Sequence, residues 1–369
     1  MKQILAIFGS LWLTGCSSMG SNPSHVDQER FKQSQQYNSE KQVFENRQAD
    51  LFEKMNARFS LWSNLRKWLE DAPDRAPGGK LPEVRPDMEE FMSTDDDVKI
   101  IWFGHSTFLM NLGGKTVLVD PIFSNNAAPV SFLVERFQPP VLSIHELPPI
   151  DYIVISHDHY DHLDMESIRF FRDKSPTFLV PLGVGSHLRA WGIDQKMILE
   201  KDWWESFEAD GITFTATPAQ HFSGRGLSNR NSTLWASWVI QTPSHRIFFS
   251  GDSGYDTHFK SIGEKLGPFD LALLDNGQYN IDWREVHLLP EEAITAINDL
   301  NAKKFFPVHW GMFVLSYHTW YEPIEKAFAL SRKNNIELVA PKIGEVLYVN
   351  RTSTLEAWWR RVKSSLPGT

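Results

Sequence analysis

Eight consecutive residues, His157-Asp158-His159-Tyr160-Asp161-His162-Leu163-Asp164, contain three histidines and three aspartates. Imidazole nitrogen and carboxylate oxygen are the donor types that suit zinc, manganese or iron(II). Burying this many titratable groups together without a cation is costly, so packed structural histidines account poorly for the run. Three later positions each add one such group after an apolar stretch. They are His221 in Thr217-Pro218-Ala219-Gln220-His221, Asp252 in Phe249-Ser250-Gly251-Asp252, and His309 in Phe306-Pro307-Val308-His309-Trp310-Gly311. Singly each is weak, and a turn or helix cap explains Asp252 equally well. Together and in this order they point to a metal centre, and a divalent ion makes hydroxide available from water near neutral pH.

The elements that must position these groups are short and β-rich. Strands are predicted at 99–103, 116–120, 152–156, 211–216, 234–241, 246–250, 271–274 and 304–308. Helices are predicted near 165–174, 259–266, 290–300 and 322–334. Pro290-Glu291-Glu292 puts proline in a first turn and acids at the positive end of the helix dipole. Strands and helices interleaved over about 250 residues imply layered α/β packing rather than a β-barrel. No internal repeat is apparent.

In this order the motifs resemble the metallo-β-lactamase superfamily, whose His-x-His-x-Asp-His signature is met in full from His157 to His162. The resemblance covers roughly residues 98–349. It implies an α/β fold, a four-layer αβ/βα sandwich, with two divalent ions at one edge of the sheets. Zn2+ is the first expectation, with Mn2+ or Fe2+ as alternatives. It also implies that His157, His159 and His221 hold one ion, that Asp161, His162 and His309 hold the other, and that Asp252 bridges them. Asp161 and Asp252 would in addition orient the nucleophile. Two carboxylates and a bridging hydroxide against two dications leave roughly one positive charge, which suits an anionic phosphodiester.

A narrower similarity, to the branch containing N-acylphosphatidylethanolamine-hydrolysing phospholipase D, is carried by Trp102-Phe103-Gly104-His105-Ser106-Thr107, Asp120-Pro121-Ile122-Phe123, Gly251-Asp252-Ser253-Gly254-Tyr255, Gly267-Pro268-Phe269-Asp270 and His309-Trp310-Gly311. It implies a phosphodiesterase of phospholipase D type, acting on N-acyl phosphatidylethanolamine or a related phospholipid through hydroxide held between the ions. Tyr279 and His287 match family positions near the substrate, although the segment between them (Asn280-Ile281-Asp282-Trp283-Arg284-Glu285-Val286) is shorter here than in the family. His105 either hydrogen-bonds a ligand or packs at a strand end. A lactonase or a hydrolase of small phosphorylated metabolites shares the ligand pattern. From a different class, a metal-stabilised outer-membrane scaffold lipoprotein is the alternative.

Met1-Lys2, an apolar run to Leu13 and the tetrad Leu13-Thr14-Gly15-Cys16 resemble a bacterial lipoprotein signal, too short to span a core of roughly 30 Å as a helix. Cys16, the only cysteine, would be the lipidated residue. Ser17 in place of aspartate favours the outer membrane, facing the periplasm. The expected division is a signal peptide at 1–15, a flexible tether at 16–48, a helix and proline-rich linker at 49–95, the hydrolase domain at 96–350 and a C-terminal helix at 351–369. On one predicted helix, 49–70, Phe52, Met55, Phe59, Trp62, Leu65 and Leu69 form a stripe expected to pack on the main domain rather than on lipid. Trp358 and Trp359, beside Arg360, Arg361 and Lys363, are expected to dock at the domain edge. His145, His187, His245, His258 and His318 are assigned by default to the surface.

Composition narrows the rest. With 41% hydrophobic and 22% charged residues the chain is neither disordered nor a multi-span membrane protein. A formal charge of -9 argues against nucleic-acid partners. The expected partners are instead a phospholipid or other anionic small molecule and, through the lipid anchor, a membrane. One cysteine excludes a disulfide scaffold or a thiolate zinc site within the chain.

Overall fold

The computed structural model describes residues 17–58, 60–69, 74–95, 97–226, 228–351 and 355–363. The signal segment and Cys16 lie outside them. Four helices come first: α1 (His25–Phe31), α2 (Leu51–Arg58), α3 (Leu61–Leu69) and α4 (Met88–Met92). Then follow β1 (Val98–Trp102), β2 (Phe108–Leu112), β3 (Lys115–Val119), β4 (Tyr152–Val154), α5 (Met165–Phe170), β5 (Thr177–Pro181), α6 (Gly185–Ala190) and β6 (Ile198–Lys201). The second half comprises β7 (Ser206–Ala209), β8 (Ile212–Thr217), β9 (Ser237–Gln241), β10 (Arg246–Phe249), α7 (His258–Leu266), β11 (Leu271–Asp275), α8 (Pro290–Leu300), β12 (Lys304–Val308), α9 (Glu322–Asn334) and β13 (Glu337–Leu338). Finally β14 (Val346–Tyr348) returns to the first half, and α10 (Trp359–Lys363) follows.

Two seven-stranded sheets result, ordered β14-β1-β2-β3-β4-β5-β6 and β13-β12-β11-β10-β9-β8-β7. In the first, the pairs from β14 to β3 are antiparallel and those from β3 to β6 parallel. The second repeats the scheme, antiparallel from β7 to β10 and parallel from β10 to β13. Each parallel step crosses over through a helix or loop, which covers the outer face of its sheet. β1 shows the consequence for sequence. Ile100 and Trp102 face the core between the sheets, Ile101 and Phe103 the outer cluster that includes Ile168 and Leu188, so 100–103 is apolar on both faces. Helix, sheet, sheet and helix layers make the four-layer αβ/βα sandwich.

Residues 17–48 are not the structureless tether expected. Ser24 caps α1 through a capping box, and α1 leads to a short hairpin pairing Tyr37–Asn38 with Val43–Phe44. Phe31, Tyr37 and Phe44 pack ring on ring at 5.1–5.5 Å, and Phe31 and Phe44 join the main core. Three aromatics in a polar stretch suffice to order it, because each ring buries a large apolar area. The predicted 49–70 helix is divided into α2 and α3 at Ser60, whose hydroxyl accepts from the Ser63 N–H. The stripe divides with it. Phe52 turns inward, edge-on to Phe222, whereas Trp62, Leu65 and Leu69 are exposed. At the other end Trp358 stacks on Trp310 and Trp359 is fully buried, as expected for a docked helix. Among the described residues no helix is long and apolar enough to cross a membrane.

Candidate metal centre

Each candidate group sits at or just beyond the end of a strand, on one edge of the sandwich. His105 follows β1, residues 157–164 follow β4, His221 follows β8, Asp252 follows β10 and His309 follows β12. His105 and His309 hold each other in left-handed backbone, with φ of 52° and 69°. The His105 N–H donates to the Trp310 carbonyl, and the His309 N–H donates to that of His105. Such backbone costs of order 1–3 kcal/mol per residue and persists only where neighbours enforce it. Gly277 makes room for it, because a Cβ there would lie 1.8 Å from the His309 carbonyl oxygen.

The side chains converge in two adjoining groups. In one, donor atoms of His157, His159, His221 and Asp252 lie within 4.8 Å of one another; in the other, those of His105, Asp161, His162 and His309 do. A third set, Asp252, Asp275, His287 and His309, shares a member with each. His159 Nδ1 is 2.9 Å from His157 Nε2 and 3.1 Å from His221 Nε2. Asp252 stands between the groups, with Oδ1 3.2 Å from His162 Nε2, and Oδ2 3.3 Å from His309 Nε2 and 3.8 Å from Nε2 of both His157 and His221. The outer nitrogens are held from behind. His162 Nδ1 donates to Asp120 (2.7 Å), His309 Nδ1 to Asp275 (3.1 Å) and His221 Nδ1 to the Val286 carbonyl (2.9 Å). These bonds select the tautomer that turns Nε2 inward, an arrangement typical of metal-ligating histidine.

The donor set fits a pair of cations. His162 Nε2 and Asp252 Oδ1 are buried and face each other at 3.2 Å without hydrogen-bond geometry to any group. Burial first, then neighbouring imidazoles, keeps His157 neutral, the form that ligates. Burial should push Asp161 and Asp252 upward, yet His162 and its neighbours hold both well below the usual carboxylate range. The same carboxylates overcome burial at His309 and raise it to about 10. They also carry His162 well above its ordinary value. This corner of the fold attracts positive charge, and a proton is the least of what it could hold.

All seven expected ligands are therefore brought together. His105 joins them, its Nε2 2.9 Å from Asp161 Oδ2, and burial with His309 alongside pushes it down to about 4. His287 also reaches the site. Its ring stacks on His309 at 5.1 Å, and Nδ1 donates to Asp275 Oδ2 at 2.8 Å. Tyr279 does not. It is buried, its hydroxyl donates to Glu322 and its ring lies against His318, so the expectation of a substrate contact there is corrected. The 3-10 turn Ile281–Trp283, in the shortened segment, puts Asp282 and Trp283 at the cleft instead. Surface placement also fails for His187, His245 and His258, which are buried against Asp158, Asn350 and Ser253.

Sequence reasoning missed several supporting residues. Asp120 and Asp275 each end an apolar run, Thr116 to Val119 and Leu271 to Leu274, and an acid at that place was a usable signal. Asn46 had none. Its Nδ2 donates to the His221 carbonyl (2.7 Å) and its Oδ1 accepts the His221 N–H (3.1 Å). Arg225, also buried, donates to the carbonyls of Asp158, Leu163 and Ser18, and so ties the start of the described chain to the ligand loop.

Above the two groups opens a cleft of about 410 Å³, lined on its polar floor by His159, Asp161, His221, Asp252, His287 and His309. Around them stand Met55, Phe222, Trp283, Val286, Leu315 and Tyr317, with the polar Asn56, Gln278 and Asp282 among them.

Residues 115–310 match the family described as "Beta-lactamase superfamily domain". The chain belongs to the metallo-β-lactamase superfamily. Over 290 residues, 77% of each chain, it is 42% identical to the Mycobacterium tuberculosis protein named "Uncharacterized protein Rv0906". It is 37% identical to N-acyl-phosphatidylethanolamine-hydrolyzing phospholipase D 1 of Caenorhabditis elegans, over 61% of this chain and 67% of that one. Among solved structures, Igni18, a metallo hydrolase from Ignicoccus hospitalis, superposes with a TM-score of 0.52 at 19% identity, covering 68% of this chain and 98% of that one. As a member of this superfamily the chain is a metal-dependent hydrolase.

Proposed function

We propose that the protein is a phosphodiesterase of phospholipase D type that cleaves N-acyl phosphatidylethanolamine or a related phospholipid. The observation that carries this reading is the cleft, with its histidines and carboxylates on one side and a mainly apolar surround of Met55, Phe222, Trp283, Val286, Leu315 and Tyr317. An amphiphile with a phosphodiester head fills both regions, whereas a small phosphorylated metabolite would leave the walls wet. Similarity to the Caenorhabditis elegans phospholipase supports the same substrate class.

His157, His159 and His221 would hold one ion, Asp161, His162 and His309 the second, with Asp252 between. When bound, such ions polarise phosphoryl oxygens and lower the pKa of water from 15.7 to about 7. Asp161 and Asp252, held deprotonated, would orient the attacking water. His287 turns Nδ1 to Asp275, which leaves Nε2 on the cleft side; carrying a proton there as well, the ring would hydrogen-bond the substrate and pass that proton to the leaving oxygen, and the proton lost by the attacking water would replace it. The water oxygen bonds phosphorus as the bond to the N-acylethanolamine oxygen breaks, giving phosphatidic acid and N-acylethanolamine. Lipidation at Cys16 and an outer-membrane site facing the periplasm complete the proposal.

The test uses the chain from Ser17 with N-acyl phosphatidylethanolamine in mixed micelles. Metal content and phosphatidic acid release are measured for wild type and Asp252→Asn. Release by wild type that falls by about 10³-fold or more in the variant is expected, the scale of losing a group that supports the charged transition state. Two bound ions with hydrolysis of lactones and none of phosphodiesters would overturn it.

A further inference from the structure

Helix α3 is turned inside out. Its polar side faces the protein: Asn64 is buried, donating to the Ser60 carbonyl and accepting from the Tyr317 hydroxyl (2.9 Å), and Lys67 reaches Asp282 at 2.6 Å. Its apolar side faces out, with Leu61 68%, Trp62 79%, Leu65 45% and Leu69 76% exposed. The helical period places these four within one arc of about 100°. Ile281, 52% exposed, precedes Asp282, which Lys67 reaches, and its carbonyl accepts from Arg58 at the end of α2. Surface helices normally bury the apolar arc, so this orientation calls for an apolar medium outside the protein.

The position of the helix decides which medium. Tyr317 and Asp282, the residues that hold α3, both line the cleft, as does Met55 of α2. The patch is therefore the rim of the opening through which an amphiphile must enter. Its area is on the order of 500 Å², large enough to mark an interaction surface but below the roughly 800 Å² per partner of a stable protein interface. Trp62 on the apolar arc, with the exposed Arg66 at its edge, is the composition of a helix lying in an anionic lipid interface.

We propose that α3, with Ile281, docks on the surface of an anionic bilayer and sets the mouth of the cleft against the headgroups. This rests on the phospholipid reading above and adds to it the face by which substrate is reached. The chain from Ser17 contains no cysteine, so Trp62→Cys supplies a single site for an environment-sensitive dye. Vesicles of phosphatidylcholine and phosphatidylglycerol, free of N-acyl lipid, report docking without turnover. Dye emission is expected to shift to the blue on their addition. In sedimentation, a variant with Leu61→Gln, Trp62→Gln, Leu65→Gln and Leu69→Gln is expected to partition about tenfold less or weaker still. Its hydrolysis of soluble bis(p-nitrophenyl) phosphate should be unchanged, which checks the fold. Vesicle binding that the four substitutions leave intact would overturn the proposal, even if phospholipid is hydrolysed. So would an apolar-arc-dependent dimer that ignores vesicles. Docking without phospholipid turnover would overturn the substrate reading while leaving the docking face standing.

Discussion

Asn46 holds the backbone of His221 by both its donor and its acceptor. Asn46→Ala leaves a buried N–H and C=O unpaired at a cost of about 1–3 kcal/mol. The expected outcome is tenfold or so weaker metal binding, read by titration against a competing chelator, with Asn46→Asp intermediate because it keeps only the acceptor. Asp275 anchors His309 and His287 together, and Asp275→Asn should lower metal affinity by about 10–100-fold by the same measurement. His258, against Ser253 and outside the ligand set itself, supplies a pH test: burial pushes it down to about 3. Unfolded His258, near 6.5, binds a proton that the folded form refuses, so stability is full above that value and is lost as pH falls toward 3. Replacing His258 with Gln should flatten the fall by about 1.4 kcal/mol per pH unit between those limits, in urea titrations at pH 4, 5 and 6. Ligand residues were legible because seven donors of two chemical types recur after β-runs. Asn46 was not, because a polar residue in a polar stretch carries no mark of its partner 175 positions away.

The elements most visible in the sequence were those buried on both faces, since continuous apolar runs such as 100–103 and 271–274 have no competing account. The structural repeat was invisible. Both halves build three antiparallel pairs and then three parallel ones, yet strand pairing leaves no residue period when the side chains are free to differ. The 49–70 stripe misled for a specific reason: periodicity reports that an apolar arc exists, not which way it faces, and here Asn64 and Lys67 decided the orientation. Docking of α10 was anticipated from its paired tryptophans. Trp359 is buried beside Phe328 and Trp310, and Trp359→Ala is expected to destabilise by about 3–5 kcal/mol in denaturant unfolding.

For the whole molecule, the site is a liability that a ligand would relieve. The carboxylates and imidazoles gathered at one edge are buried, and any ion bound there only in the folded state adds stability by mass action, about 4 kcal/mol at a thousandfold excess over Kd. Chelation should therefore lower the thermal midpoint, and returning Zn2+ should restore it. A chain whose melting is indifferent to chelators would contradict the metal reading. Net charge and composition excluded whole classes of function, but they held no information about residues 17–48. Those residues place Ser17 against Trp191, whose indole donates to its carbonyl, and Ser18 against Arg225, whose guanidinium lies 3.9 Å from the Tyr160 ring between His159 and Asp161. A free chain over that stretch would let the cleft wander through roughly 30 Å. Seated as it is, it gives an acyl group on Cys16, as proposed, almost no slack. The enzyme would then patrol a single leaflet as a two-dimensional reactor, its turnover following the mole fraction of substrate in that leaflet rather than any concentration in the surrounding volume.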